Sequence, residues 1–424
     1  MAETGKIVEV LFENALDTYN HQTSMMDMVD VFKPNSGDFQ NAGNFIWRPV
    51  QQHAPIINGW DLTGQETDII EETYPAVLGE PANDFFEQRA DDLRDMAFWE
   101  RRGKQSGMRQ ATELNRRVAT LVAETGSIFY RSNVTSGYDF VAEAESFLDE
   151  RQVAGEERYF TFNTRDNQKF AQDLAARQTV QGRPEEAWAF SQLGVNIAGF
   201  DIYRGSFLPN LAGGVDPATT VTADQSFAPE GGTVSATGVV TNVDYRIATI
   251  PVTSSAGYNV GDRVIFQNAA VPVTAIGLAD KNDSDQAATF AIVDIPDATS
   301  ITVMFKPIAL DDAGLSVLQQ AYANVDTQIL NTATVNRQNI DTSAKTNIFW
   351  TRDSIEITAG DAPIQLLNEF GGQKVISSQL KSGLTMYMAY DGNIDDLTFK
   401  CRLFTWYQAT NKNPMANGAA VTFT

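Results

Sequence analysis

From Ile7 to Tyr19 apolar and polar positions recur with a helical period. Ile7, Val8, Leu11, Phe12, Ala15, Leu16 and Tyr19 fall on one side at about 100° per residue. Glu9, Glu13 and Asp17, spaced by four, fall on the other. The pattern predicts an amphipathic N-terminal helix whose stripe must dock on the chain's own body or on a partner.

The period then breaks. Pro34, Asn35, Ser36, Gly37 and the stretch Asn41 to Asn44 are loop chemistry. Asn44 to Val50 reads as a strand, Gln51 to Gly64 as a polar tip carrying Pro55, Gly59 and Trp60, and Thr67 to Leu78 as a returning strand. Both strands mix aromatic and charged residues, which suits two wet faces. The expectation is a long β-arm, laid on another subunit or kept as a peripheral hairpin.

A helical period returns over residues 84–125, with Pro81 before it and Asn83 or Asp84 as cap. Phe86, Ala90, Leu93 and Ala97, then Ala111, Leu114, Val118, Leu121 and Val122, form its seam. Glu100–Lys104 and Glu113–Arg117 stand at supportive spacing, Gly103 and Gly107 are candidate bend points, and Gly126 is the stop. Such a helix is about 60 Å long at 1.5 Å per residue.

Beyond it the pattern is mixed. A helix is expected within Val134 to Arg151, a strand at Arg158 to Asn163, a helix at Gln168 to Arg177 and a strand at Phe200 to Arg204. Residues 222–341 hold no Trp and a single Glu, Glu230. Short strands recur there at Arg246 to Val252, Arg263 to Phe266, Thr289 to Asp294 and Ile301 to Lys306, with turn signals at Gly261-Asp262 and Pro296-Asp297. This predicts a small antiparallel barrel or sandwich, inserted because helical and strand text resumes on both flanks. A central strand pair closes the chain: Leu384 to Tyr390, a turn at Asp391-Gly392-Asn393, then Leu397 to Tyr407 with Phe399, Cys401 and Leu403 on one face.

The fold class expected is α+β. Its segments are an arm at 1–30, a β-arm at 31–80, a long helix at 81–126, an α/β body at 127–221, the β insertion at 222–341 and a returning sheet at 342–424.

Charge narrows the function. The 424 residues carry 31 Lys and Arg against 54 Asp and Glu, a net charge of -23. Gripping nucleic acid by its phosphates needs clustered cations, so the chain is expected either to surround nucleic acid without specific binding or to use its acidity for solubility alone. Cys401 is the single cysteine, so no intrachain disulfide can form, which fits a reducing cytoplasm. The first residues lack a basic stretch followed by an apolar one, and no apolar run nears the roughly 18 residues of a membrane helix. Neither secretion nor membrane insertion is expected.

Candidate chemistry is sparse. His21 and His53 are the two histidines, and with one cysteine they make no common zinc site without carboxylates. No nucleophile elbow, phosphate loop or dinucleotide fingerprint occurs. Asp280 to Asp285 imitates a calcium loop but has Asp285 where Gly is needed and Ala291 where Glu belongs. Asp91-Asp92 reads as a pair of ion-pair partners within the charged helix. No catalytic residue, cofactor or metal is assigned, and the protein is not expected to be an enzyme.

Several stretches resemble one family in order: Asn44-Phe45-Ile46-Trp47-Arg48-Pro49-Val50, Gly59-Trp60-Asp61-Leu62-Thr63, and Gly79 to Phe86 running on to Arg89-Ala90-Asp91-Asp92-Leu93-Arg94-Asp95. Ala309-Leu310-Asp311-Asp312, Ala321 to Val325, Thr346 to Trp350 and Cys401-Arg402 add to them. The chain resembles the major capsid proteins of short-tailed lambdoid phages, close to the coat proteins of Salmonella and Shigella podoviruses, over essentially its whole length.

The resemblance implies the tailed-phage and herpesvirus capsid fold: an N-arm, an extended loop, a spine helix and an axial domain, with an inserted β-barrel. It implies an icosahedral shell of pentamers and hexamers, an internal scaffolding protein, a portal complex, enclosed double-stranded DNA, a precursor shell that expands, and assembly in the host cytoplasm. In relatives the insertion carries a long loop reaching a neighbour. Pro229 to Asp244 occupies that place with acids only at Glu230 and Asp244.

Three expectations follow. Ile56, Ile57 and Trp60 anchor the β-arm on a neighbour. Glu9, Glu13 and Asp17 face a basic helix of the scaffold. Gly103 and Gly107 are hinge candidates for expansion. The reading takes segments 1–30 and 31–80 to carry apolar surface their own body does not cover. The alternative is a β-rich ligand-binding or adhesion module of a phage particle, with a pocket in the insertion.

Overall fold

A computed structural model describes residues 2–34, 45–50, 60, 63, 69–89, 95–132, 137–153, 157–176, 192–234, 236–238, 240–339, 343–362, 374–393 and 398–422. The architecture is α+β, in two compact units.

The first unit comprises Met1–Ile46, Ala76–Val118 and Glu356–Thr410. Its N-terminal helix, Ala2–Gln22, follows the expected period: Val8, Leu11, Phe12, Ala15 and Tyr19 are buried, and Glu9, Glu13 and Asp17 are exposed. The stripe is covered from within the unit by the long helix Met96–Thr125. A Cβ placed on Gly103 would stand 2.5 Å from Leu11 O, and one on Gly107 still closer to Ala15 O. Asn115 then ties down the end of the first helix, donating to Gln22 O at 3.1 Å and accepting from Met25 N at 3.3 Å. The expectation that this stripe lacks cover on its own body is therefore corrected. Two glycines one turn apart remove the side chains that would hold the helices apart, so the backbones meet.

The long helix starts at Met96 rather than Asp84, with Asp95 Oδ1 accepting from Ala97 N at 3.0 Å. It spans about 45 Å at 1.5 Å per residue. Ala82–Arg89 is a strand instead, paired along its length with Thr398–Thr405. Phe86 fits a helical seam and an alternating strand face equally. Ala82, Asp84, Phe86 and Gln88 turn inward while Asn83, Phe85, Glu87 and Arg89 stay exposed, and the partner strand decides. Ala90, Leu93 and the Asp91-Asp92 pair lie outside the described residues. The helix ends as expected, with Gly126 N donating to Val122 O at 3.0 Å, and Glu113 pairs with both Arg116 and Arg117.

Ala82–Arg89 is the edge of a four-stranded antiparallel sheet ordered Lys374–Gln379, Thr385–Asn393, Thr398–Thr405, Ala82–Arg89. The strand pair expected to be central is thus interior to this sheet, in keeping with its lack of breakers. The turn read at Asp391-Gly392-Asn393 is corrected: these residues continue the ladder opposite Lys400, Phe399 and Thr398. The long helix lies on this sheet. Trp99 is buried edge-on to Phe399 at 5.6 Å, and Gln110 Nε2 donates to Ala82 O and Leu403 O. Asp84 accepts from Arg102 at 3.0 Å and from the Ser106 hydroxyl. The residue expected to cap the helix thus binds its flank.

The second unit comprises Trp47–Pro75, Ala119–Ile355 and Asn411–Thr424. One mixed sheet runs Ile128–Ser132, Asn417–Thr422, Ala344–Thr351, Arg158–Asn163, Phe200–Gly205, Gln192–Ile197. Helices Tyr138–Glu150 and Thr164–Ala176 flank it in sequence, and Phe140, Phe160, Phe162, Phe170, Phe200 and Phe349 share its aromatic core.

A second sheet runs Thr219–Thr220, Thr334–Arg337, Arg263–Asn268, Phe290–Asp297, Ser300–Met304, Ile247–Pro251. Its two ends meet: Val221 bridges Val252, Thr222 N donates to Pro251 O at 3.1 Å and Thr253 N to Thr220 O at 2.8 Å. Val264, Phe266, Phe290, Ile301, Val303 and Val335 fill its core. The calcium-like stretch is a turn at Asp280 followed by strand Asp283–Ala287, paired with Thr274–Ile276.

Candidate functional site

The surfaces singled out by sequence are placed as follows. Glu9, Glu13 and Asp17 form an exposed acidic row on the N-terminal helix, extended by Asp17 pairing with His21 at 3.5 Å. The β-arm keeps its two strands as a pair, Phe45–Pro49 with Thr73–Val77. Its root within the second unit is pinned by Val50 N donating to Glu72 O at 2.9 Å and Tyr322 OH donating to Ile70 O at 3.0 Å. Trp60 stands fully exposed, at 107% relative accessibility. Ile56 and Ile57 lie outside the described residues. Phe85 adds a second exposed aromatic on the outer face of its strand.

Gly103 and Gly107 lie inside one continuous helix and touch the N-terminal helix. Cys401 is buried, and burial, reinforced by Asp84, pushes its thiol up to about 12. It is a packed core residue and a poor nucleophile.

A feature without a sequence signal is a cavity of about 190 Å³ in the second unit. Glu72, Lys281, Lys306, Arg246, Gln152 and Phe305 are among its lining residues, from segments far apart in sequence. Arg246 is held by Asp244 at 2.7 Å and donates to Asn411 O, so its charge is matched. Lys281 Nζ donates to Ala323 O at 2.9 Å, and burial lowers this ammonium to about 8. Lys306 is 7% exposed and stands 3.7 Å from Glu230, itself over half exposed. Burial raises Glu72 from 4.5 to about 7, with Lys306 offsetting part of the rise.

The Glu72 shift predicts a pH dependence. The unfolded chain releases this proton near 4.5 and the folded chain near 7. Between those values the folded state binds more protons, so stability falls as pH rises through that window. Glu72→Gln removes the loss: it is expected to stabilise the subunit by roughly 2 kcal/mol at pH 8, below the full ~3 at 1.36 per pH unit, and by almost nothing at pH 4. Urea melts of the variant and the parent at both pH values measure it. Equal gains at both would sink the assignment.

A family model described as P22 coat protein, gene protein 5, matches residues 1–422. The chain belongs to the P22 coat protein family. It is accordingly a structural protein, a phage coat subunit that builds a shell, and not an enzyme. Solved structures similar to the coat protein are remote in sequence. The capsid of cyanophage P-SCSP1u is 10% identical with a TM-score of 0.44, over 95% of this chain and 88% of that one. The capsid of Ralstonia phage GP4 is 8% identical with a TM-score of 0.42, over 95% and 88%. The mature capsid of bacteriophage PhiM1 is 8% identical with a TM-score of 0.42, over 94% and 86%.

Proposed function

We propose that this coat protein assembles, around an internal scaffolding protein, into a precursor shell of pentamers and hexamers that expands as double-stranded DNA enters through a portal complex. The shell is that of a short-tailed lambdoid phage, made in the host cytoplasm. The carrying observation is Trp60: a full indole in water, between the paired strands Phe45–Pro49 and Thr73–Val77 in sequence. An aromatic of that size gains most by filling a pocket on another copy, and Ile56 and Ile57 are proposed as further anchors of that contact. Trp60→Ala is expected to leave the melting of the subunit unchanged and to cut the yield of closed shells at least tenfold by sedimentation and electron microscopy. Normal shells would overturn the reading.

The exposed row Glu9, Glu13 and Asp17 supports contact with a basic scaffold helix. Reversing all three charges leaves the buried stripe of that helix intact, so loss of scaffold-dependent assembly without loss of folding is the expected outcome. Normal assembly with scaffold would exclude the contact. Gly103 and Gly107 are proposed as the hinge of expansion. Residues 222–341 are proposed as an inserted barrel; their strands close through Thr219–Thr220 and the Val221–Val252 bridge just ahead of the span, around a core that takes in Val221. A fragment of residues 219–341, which keeps Thr219–Thr220 and Val221, unfolding without cooperativity would refute it.

A further inference from the structure

We propose that the cavity lined by Glu72, Lys281 and Lys306 binds a small oxyanion of the size and charge of inorganic phosphate. The inference goes beyond shell assembly and does not rest on it. In a chain of net charge -23, this cavity has Lys281, Lys306 and Arg246 in its lining and, among the described residues, one carboxylate, Glu72. Lys306 is more than nine-tenths buried; Glu230, at 3.7 Å and outside hydrogen-bond distance, is exposed, and Glu72 of the same cavity is the other carboxylate that acts on it. Lys281 Nζ donates a hydrogen bond to the Ala323 carbonyl, which satisfies a donor without neutralising a charge, and the carboxylate acting on it, Asp280, is exposed. Buried cations persist when something pairs them.

The walls carry a second, independent sign. Gln152, Lys281 and Phe305 all hold positive φ, at 53°, 57° and 78°, and all three line this cavity. Side chains other than glycine adopt that region at a cost, most of all a bulky aromatic, and such strain concentrates where ligands are clamped. Gln152 Oε1 accepts from both Ala279 N and Asp280 N at 3.0 Å, which fixes the loop that delivers Lys281. The volume of about 190 Å³ would hold several waters at about 30 Å³ each, enough for a tetrahedral anion but not for a polymer strand.

The test uses the full-length soluble subunit and inorganic phosphate, titrated calorimetrically and by thermal melting, against chloride at matched ionic strength. Saturable heat with phosphate and a rise in melting temperature beyond the chloride control are expected. Lys281→Met and Lys306→Met should each weaken binding at least tenfold, and Glu72→Gln should tighten it above pH 7 by removing the opposing charge. If Lys306→Met does not fold, Lys281→Met at the less buried position decides alone. Absence of saturable heat, an equal response to chloride, or unchanged affinity in Lys281→Met would each overturn the site. Failure of shell assembly in any variant has no bearing on it, because the readout is binding by the unassembled subunit.

Discussion

Asp262→Ala is expected to cost about 3–5 kcal/mol of subunit stability, the range for removing one partner of a buried ion pair. Asp262 and Arg337 are each 2% exposed in their side chains and meet at 2.7 Å. The carboxylate also accepts from Asn339 Nδ2 at 2.7 Å and from Asn259 N at 2.8 Å. Burial raises Asp262 above the usual carboxylate range, while the Asn259 N–H and Arg337 pull it back. Alanine would leave the guanidinium its bond to Gly257 O but no counter-charge, with an Nε that has no hydrogen-bond partner among the described residues. The paired replacement Asp262→Leu with Arg337→Met removes both charges and should recover most of the loss. Urea melts of the three proteins give the comparison. A double variant as unstable as the single one would show that shape, not charge pairing, matters at this site.

Gly107→Leu is expected to destabilise the subunit by about 3 kcal/mol, the upper part of the range for overpacking. Gly107→Ala should lie between, because better helix propensity returns about 1 kcal/mol of what the clash removes. The clash is with Ala15 O, a backbone atom that cannot rotate away, so the N-terminal helix must shift. Faster proteolysis within residues 2–22 of the leucine variant, beside its lowered melting midpoint, is the measurement. An unchanged midpoint and digestion pattern would show that the two helices do not meet at this glycine. The same variants separate contact from hinge: a hinge role appears in shell expansion, and the contact appears in the free subunit.

The candidate surfaces were partly legible in the chain. The row Glu9, Glu13 and Asp17 was, because spacing by four decides which face a helical residue takes. Trp60 was visible as an aromatic in a polar tip. The cavity was not: Glu72, Lys281 and Lys306 come from segments more than two hundred residues apart at the extremes, and each alone reads as a surface charge. Asp262 and Arg337 were invisible as a pair for the same reason.

What the sequence determined by itself is the local periodicity: the N-terminal helix, the helix ending at Gly126, the recurrent short strands from Ile247 to Met304 and the central strand pair, though not its turn. These depend on side-chain spacing and turn chemistry within a few residues. Tertiary structure alone decided what depends on a distant partner. Ala82–Arg89 became a strand because Thr398–Thr405 offers a ladder, and the greasy stripe at Leu11 and Ala15 found cover because Gly103 and Gly107 lie opposite it. Lys281 and Lys306 came to share one cavity because the strands around them fold back together. Spacing fixes the face a residue shows, but only long-range packing says what that face meets.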